Sequence, residues 1–413
     1  MNRRRVTIPM VLLAAGSLAL AACGSSSSPA AGTQTKTVVI GLVTDFSGPQ
    51  GVLGTMEFQG DELAIDQINA AGGIKSLGGA KLVIKKFDTQ TDPTQGALQA
   101  TKAIAAGVNV ILGGEVSDTV IAGTNVSHRA GIPWLSTGAE AAEITSRGLN
   151  DVFQMTSTTN QVAKQYHDVL AYVAGKLGIT SNTMGLSVSD TTYGNQLDTG
   201  FSLANTSGPF QVVNKVSYPL GTADLSPIAA RMLLNHPAVL LNEGYPTDGV
   251  SLAQLFATKF HPTAKIFYAT AQATVIASQL GSKANGMLLS AGPSTAFKGM
   301  PASYLAAAKA FQSKVGISLD QQSLSTIAYV QTMMLRQALE MAGSTKGSAI
   351  AAALHKVHLT HAEGNLYPVA TMSFAPNGSL VTPPEFYVQI QHGQPVGIFP
   401  ASVAQASPIP YSP

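Results

Sequence analysis

The chain has 413 residues, long enough for two domains of ordinary size and too long for one small globule. Charged residues make up 11% of it, against a norm of about 25%, so its polar surface must come largely from Ser, Thr, Asn and Gln. The formal net charge is +2, and setting aside Arg3, Arg4 and Arg5 leaves −1; no basic patch survives, which argues against nucleic acid as a partner.

The chain opens on a targeting signal. Arg3, Arg4 and Arg5 form a basic start, and the apolar stretch over residues 8–22 is too short to span a bilayer comfortably. It ends in Leu20-Ala21-Ala22-Cys23, followed by Gly24 and a serine run. That junction resembles a bacterial lipobox, in which small residues fit the signal peptidase and the cysteine thiol takes a diacylglyceryl group. Residues 1–22 are thus expected to be a lipoprotein signal peptide, with Cys23 as the lipid anchor. Cys23 is the only cysteine, so no internal disulfide is available. Residues 23–37 are small and polar and read as a flexible tether, whose average reach is roughly 20 Å. The expectation is an exported or periplasmic protein anchored at the outer face of the cell membrane, with no transmembrane helix in its mature form.

Beyond the tether, strand and helix signals alternate. Val38, Val39, Ile40, Leu42 and Val43 form a β-branched run suited to a strand covered on both faces. Ser47, Gly48, Pro49, Gly51 and Gly54 predict a loop, and Phe58, Ile65 and Ile68 an apolar stripe on the helix after it. Strands are expected over residues 82–87, 110–112 and 132–135, with helices over 93–106 and 117–130. Asp92 and Pro93 supply an N-cap and a first-turn proline. A second series follows, with strands over 152–155, 184–188, 212–216, 238–241 and 266–268. Its helices fall over 161–177, 195–204, 225–234 and 249–260. Consecutive helices over 304–311, 324–341 and 350–357 come next, then strands over 369–374 and 386–390 around the turn Ala375-Pro376-Asn377-Gly378. This alternation predicts doubly wound parallel sheets in two lobes.

Several segments, in order and spacing, carry a family likeness: TDFSGP, ELAIDQINAAGGI, KKFDTQTDPTQ, VILGGEVSDT, AGIPWLSTGAEAAEIT, DTTYGNQL and SFAPNGSL. The set resembles the leucine/isoleucine/valine-binding family, the substrate-binding proteins of branched-chain amino acid ABC transporters, with the type I periplasmic binding protein fold. The resemblance implies two α/β lobes joined by three hinge crossovers, near Phe153, residues 288–291 and residues 364–368. Residues 38–153 with 289–364 would form lobe 1, and residues 154–288 with 365–413 lobe 2. The lobes would close on a ligand as a hinged trap.

The same resemblance assigns a site. Ser117 matches a serine whose hydroxyl and helix N-terminus bind a ligand carboxylate, and a helix start is a ready anion site. Gly138, Ala139 and Glu140 match a ligand-binding loop, where Glu140 departs from the usual threonine. Tyr193 and Tyr245 match two tyrosines that close over the ligand from the second lobe, and Leu53 a contact that shapes specificity. Amino-acid binders of the family carry a glutamate near Gln272 to hold the ligand ammonium, and this chain does not. Either Glu140 supplies the missing charge or the ligand is an amide, a urea-like compound or an aromatic acid.

His355, His358 and His361 recur every third residue, but that spacing cannot hold all three on one helical face, so no metal is expected. No G-x-S-x-G, H-E-x-x-H or Walker-type segment occurs. The reading is a monomeric solute-binding lipoprotein, not an enzyme and without a cofactor. It would deliver a small polar ligand to the permease of an ABC importer; a sensor of the same fold is the alternative.

Overall fold

The computed structural model describes residues 37–206, 208–381 and 386–413. The expected signal peptide, Cys23 and the tether to residue 36 lie outside the described residues. The first sheet is built from β1 (Thr37–Thr44), β2 (Lys81–Asp88), β3 (Val110–Leu112), β4 (Trp134–Ser136) and β5 (Val152–Gln154), all parallel, in the order β2-β1-β3-β4-β5. Helices α1 (Gly51–Ala70), α2 (Pro93–Ala105), α3 (Ser117–Arg129) and α4 (Glu143–Ser146) connect its strands. The opening strand is apolar throughout because both its faces are covered: Val38, Ile40 and Leu42 enter one core and Val43 another.

After α5 (Thr159–Leu177) the chain enters the second sheet. It runs through β6 (Thr183–Ser189), α6 (Thr192–Ala204), β7 (Gln211–Tyr218), α7 (Ser226–Met232), β8 (Val239–Glu243), α8 (Pro246–Leu255), β9 (Ile266–Ala269), α9 (Ala273–Leu280) and β10 (Leu288–Ala291). Helices α10 (Ala302–Val315), α11 (Ser323–Ala342) and α12 (Gly347–Leu354) return to the first core, where Tyr304, Phe311, Val330 and Leu339 join Ile40 and Leu42. A small antiparallel pair follows, β11 (Leu359–Thr360) with β12 (Thr371–Met372). Then β13 (Phe386–Gln391) and β14 (Gln394–Phe399) complete the second sheet in the order β14-β13-β10-β9-β8-β6-β7, antiparallel only along β10-β13-β14. The result is the expected α/β protein of two parallel-sheet lobes, each with its own core.

Local start signals act as the sequence implies. Asp92 Oδ1 accepts the Gln95 amide at 3.0 Å ahead of Pro93, and α5 begins on a capping box in which Gln161 reaches back to the Thr158 amide at 2.8 Å.

Four expectations need correction. The glycines at 51 and 54 do not prolong a loop, because α1 starts at Gly51. A Cβ at position 54 would lie 2.2 Å from the Asp45 carbonyl, so this glycine marks a close approach of helix to strand end. The chain does not re-enter the second lobe at residues 364–368. Met372, Phe374 and Leu380 still belong to the first core, while Tyr367 packs against both cores. The strand expected over residues 369–374 is only Thr371–Met372. The helix expected over residues 249–260 starts at Pro246 and ends in a π-helical turn, Phe256–Phe260.

Two of the three histidines have structural partners for their rings. His355 Nε2 meets the Asn150 carbonyl at 2.9 Å and His361 Nε2 the Tyr367 carbonyl at 2.8 Å. Trp134 is buried, with its Nε1–H donating to the Gly113 carbonyl at 2.9 Å.

Candidate functional site

In a parallel sheet the strands end on one side, and the segments that leave those ends meet there. Here the segments following β1, β3, β4 and β5 face those following β6, β8, β9 and β10, with the start of α11 alongside. Between them lies a cavity of about 200 Å³. Its apolar wall includes Leu53, Met155, Leu324, Ile327 and Phe386, and its polar wall Glu115, Glu140, Ser157, Tyr193, Tyr245 and Gln272. Among the described residues, two glutamates line it and no Lys, Arg or His does.

Of the residues proposed from sequence, Leu53, Gly138, Glu140, Tyr193, Tyr245 and Gln272 all line this cavity. Ser117 and Ala139 stand behind its lining. The Ser117 hydroxyl accepts the Ala141 amide at 3.1 Å. The Ala139 carbonyl accepts from Gln154 Nε2 at 2.9 Å and from the Thr156 hydroxyl at 3.1 Å. The amides of Gly138 and Ala139 both donate to the Gly114 carbonyl at 3.1 Å. At the start of α3 the Val116 amide lies near the Asp45 carboxyl and helps to hold its pKa down against burial.

Sequence reading passed over Glu115. It follows Gly113 and Gly114 at the end of β3, both with positive φ, and is 8% exposed. Its carboxylate lies against Gly138, where an added Cβ would stand 2.1 Å from Oε2. A side chain at position 138 would therefore occupy the place this carboxylate takes. Among the described residues no amide, hydroxyl or basic side chain donates to Glu115 Oε1; the carboxyl's partner is that of Glu57, from α1. Glu57 is fully buried and accepts the Gly114 amide at 3.3 Å.

Burial raises the Glu115 carboxyl to about 7 and Glu57 well above its ordinary value, with their proximity adding to the rise at Glu57. Two carboxyls sharing one site hold a proton between them. Asp45, beside them, is raised by burial although the Thr89 hydroxyl and Thr91 amide donate to it at 2.5 and 2.8 Å. Asp61, one turn behind Glu57, is raised by burial and accepts from the Thr332 hydroxyl at 2.7 Å.

The opposite wall is aromatic. The Tyr193 and Tyr245 rings sit 5.4 Å apart at a tilt of 58°, and burial first, then the Glu140 charge, keeps the Tyr193 phenol protonated. Side-chain hydrogen bonds from Asp118 and Gln50 join the walls. The Asp118 carboxylate accepts the Thr192 amide at 3.3 Å and also its hydroxyl, and Gln50 Nε2 donates to the Thr247 hydroxyl at 3.0 Å. The lobes thus meet across the cavity mouth.

The periplasmic binding protein family profile matches residues 37–392. Among curated proteins, the Leu/Ile/Val-binding protein homolog 8 of Brucella abortus is 35% identical over 222 residues, covering 52% of this chain and 54% of that one. Homolog 7 of the same organism is 30% identical over 241 residues, covering 57% and 58%. The chain spans about half the length of these curated relatives. Among solved structures, the branched-chain amino acid transporter substrate binding protein LivJ from Streptococcus pneumoniae, in complex with isoleucine, superposes with a TM-score of 0.75 at 20% identity, covering 88% of this chain and 99% of that one. A solute binding protein of an ABC transporter from R. palustris, in complex with benzoate, does so with a TM-score of 0.75 at 16% identity, covering 90% and 97%. At such identities the superpositions establish the fold. With the profile spanning both lobes and the cleft between them, the chain belongs to the periplasmic binding protein family.

Proposed function

We propose that this protein is the extracytoplasmic solute-binding component of an ABC importer, capturing a small organic ligand between its lobes and presenting it to a permease. The observation that carries the reading is the cavity itself, walled by strand ends of both lobes and spanned by Asp118–Thr192 and Gln50–Thr247. Leu53, Gly138, Glu140, Tyr193, Tyr245 and Gln272 are its ligand contacts, with Ser117 and Ala139 holding the loop behind them. The names of its relatives support a binding protein over an enzyme, and the ligands in the superposed structures, isoleucine and benzoate, set the size class. The protein acts as a monomer tethered through Cys23.

A thermal-shift screen of the mature protein against amino acids, amides, ureas, amines and aromatic acids tests this. A ligand at a hundredfold its dissociation constant adds about 2.7 kcal/mol of apparent stability. Saturable binding without turnover is the expected result, and turnover of the ligand would overturn it. For the anchor, Cys23→Ala is expected to move the protein from membrane to soluble fractions.

A further inference from the structure

The cleft's two walls differ in charge, and the difference bears on what it holds. Glu115 and Glu140 line the cavity, Glu57 and Asp45 stand directly behind Glu115, and among the described residues no cationic side chain lines it. Several backbone donors beside the cavity are committed elsewhere. The amides of Gly138 and Ala139 go to the Gly114 carbonyl, and that of Ala141 to the Ser117 hydroxyl. An anionic ligand would meet two carboxyls and none of these amides. A cation would find in Glu115 a carboxyl 8% exposed, facing the cavity, whose Oε1 receives no donor from an amide, hydroxyl or basic side chain among the described residues.

We propose that the cleft takes an organic cation, a primary amine with an aliphatic or aromatic body and no carboxylate of its own, and that Glu115 is its counter-charge. This rests on the solute-binding reading and names the ligand class for the same site. The ammonium docks on Glu115 beside Gly138, and Leu53, Leu324, Phe386 and the two tyrosines enclose the body. Glu57 acts through Glu115: burial keeps the Glu57 carboxyl protonated, and below about pH 7 the incoming ammonium displaces the proton of Glu115, so that binding there sends a proton to solvent. The groups facing Glu115 are Glu57 on α1, Asp45 after β1, Glu140 after β4, and across the cleft the neutral phenols of Tyr193 and Tyr245. Burial first, then the Asp45 and Glu140 charges, opposes ionisation of Glu115 in the empty cleft, while its hydrogen bond with Glu57 favours it, and a bound cation tips the balance to the ionised form.

The test pairs isosteres on the mature protein: 3-methylbutylamine against leucine, and benzylamine against benzoate, by calorimetry at pH 6 and pH 8. The amines are expected to bind more tightly than the acids at pH 8, with affinity rising about tenfold from pH 6 to pH 8. Calorimetry in buffers of different ionisation enthalpy should show proton release at pH 6 and little at pH 8. Glu115→Gln, isosteric with the protonated residue, should lower amine affinity at pH 8 at least tenfold and flatten the pH profile. Gly138→Ala, which displaces the carboxylate without removing it, should act in the same direction. Glu140→Gln should lower affinity but keep the profile. Tighter binding of leucine or benzoate than of the amines, or an unchanged amine affinity in Glu115→Gln, would overturn the amine assignment and leave the solute-binding reading standing. Failure of every amine and acid to bind would sink both.

Discussion

The two walls of the cleft are made from the same kind of βα unit and differ in what they hold. The first-lobe wall sets Glu115, Glu57 and Asp45 close together among glycines, with partners too few to balance their burial. The second-lobe wall sets Tyr193, Tyr245 and Phe386 against well-packed aromatic neighbours, Phe386 meeting Phe297 at 4.8 Å. Buried acids destabilise the empty protein, whereas packed rings stabilise it. One lobe is thus poised to recognise charge and the other to recognise shape.

Substitutions that remove a side chain from each wall should therefore move stability in opposite directions. Phe386→Ala is expected to lower unfolding stability by about 3–5 kcal/mol, the cost of a large core-to-Ala change, read by denaturant titration. Glu115→Gln should raise the stability of the ligand-free protein at pH 8, by on the order of 1–3 kcal/mol. A loss there would break the contrast.

The pH dependence sharpens it. A carboxyl whose folded value lies above its unfolded value keeps its proton longer in the native state, so the unfolded state binds fewer protons through the window between the two. Stability of the ligand-free protein should fall as pH rises from about 4.5, the ordinary value, to about 7, that of Glu115, and this part of the slope should level off above. Melting curves of Glu115→Gln should show a shallower slope over that window. Asp118→Ala, which removes the link to Thr192, is expected to cost about 1 kcal/mol and to widen the scattering profile of the ligand-free protein. Smallest of all, Tyr193→Phe should weaken ligand binding by only a few fold, since the ring and its stacking on Tyr245 persist.

Much of this was legible in the chain because the relevant signals are local. Alternating strand and helix patterns, Asp92-Pro93 and the Thr158-Gln161 pair report on their immediate neighbours in sequence, and the ordered family segments set the architecture. Leu53, Gly138, Glu140, Tyr193, Tyr245 and Gln272 were drawn from that likeness, and the fold brings them to one cavity. What local signals do not carry is which strand end faces which. Glu115 looks like any acid ahead of a helix, and only the approach of the β4 end shows that Gly138 leaves it room. Ser117 at a helix start suggests a free hydroxyl, yet it is engaged by Ala141, 24 residues on. Gly54 suggests a loop because its close neighbour, the Asp45 carbonyl, is invisible until strand and helix are packed.

Trp134 gives these contrasts an optical handle. It is the only tryptophan in the sequence, and its indole is bonded to the carbonyl of Gly113, two residues before Glu115. Emission excited at the red edge of the protein spectrum therefore comes from the first lobe alone, from a core behind its cleft wall. A change in charge at Glu115 reaches that fluorophore through a single short stretch of backbone, while events confined to the tyrosine wall leave its emission unchanged. The protein carries its own one-sided reporter, and titrating its emission against pH follows the first lobe without a label.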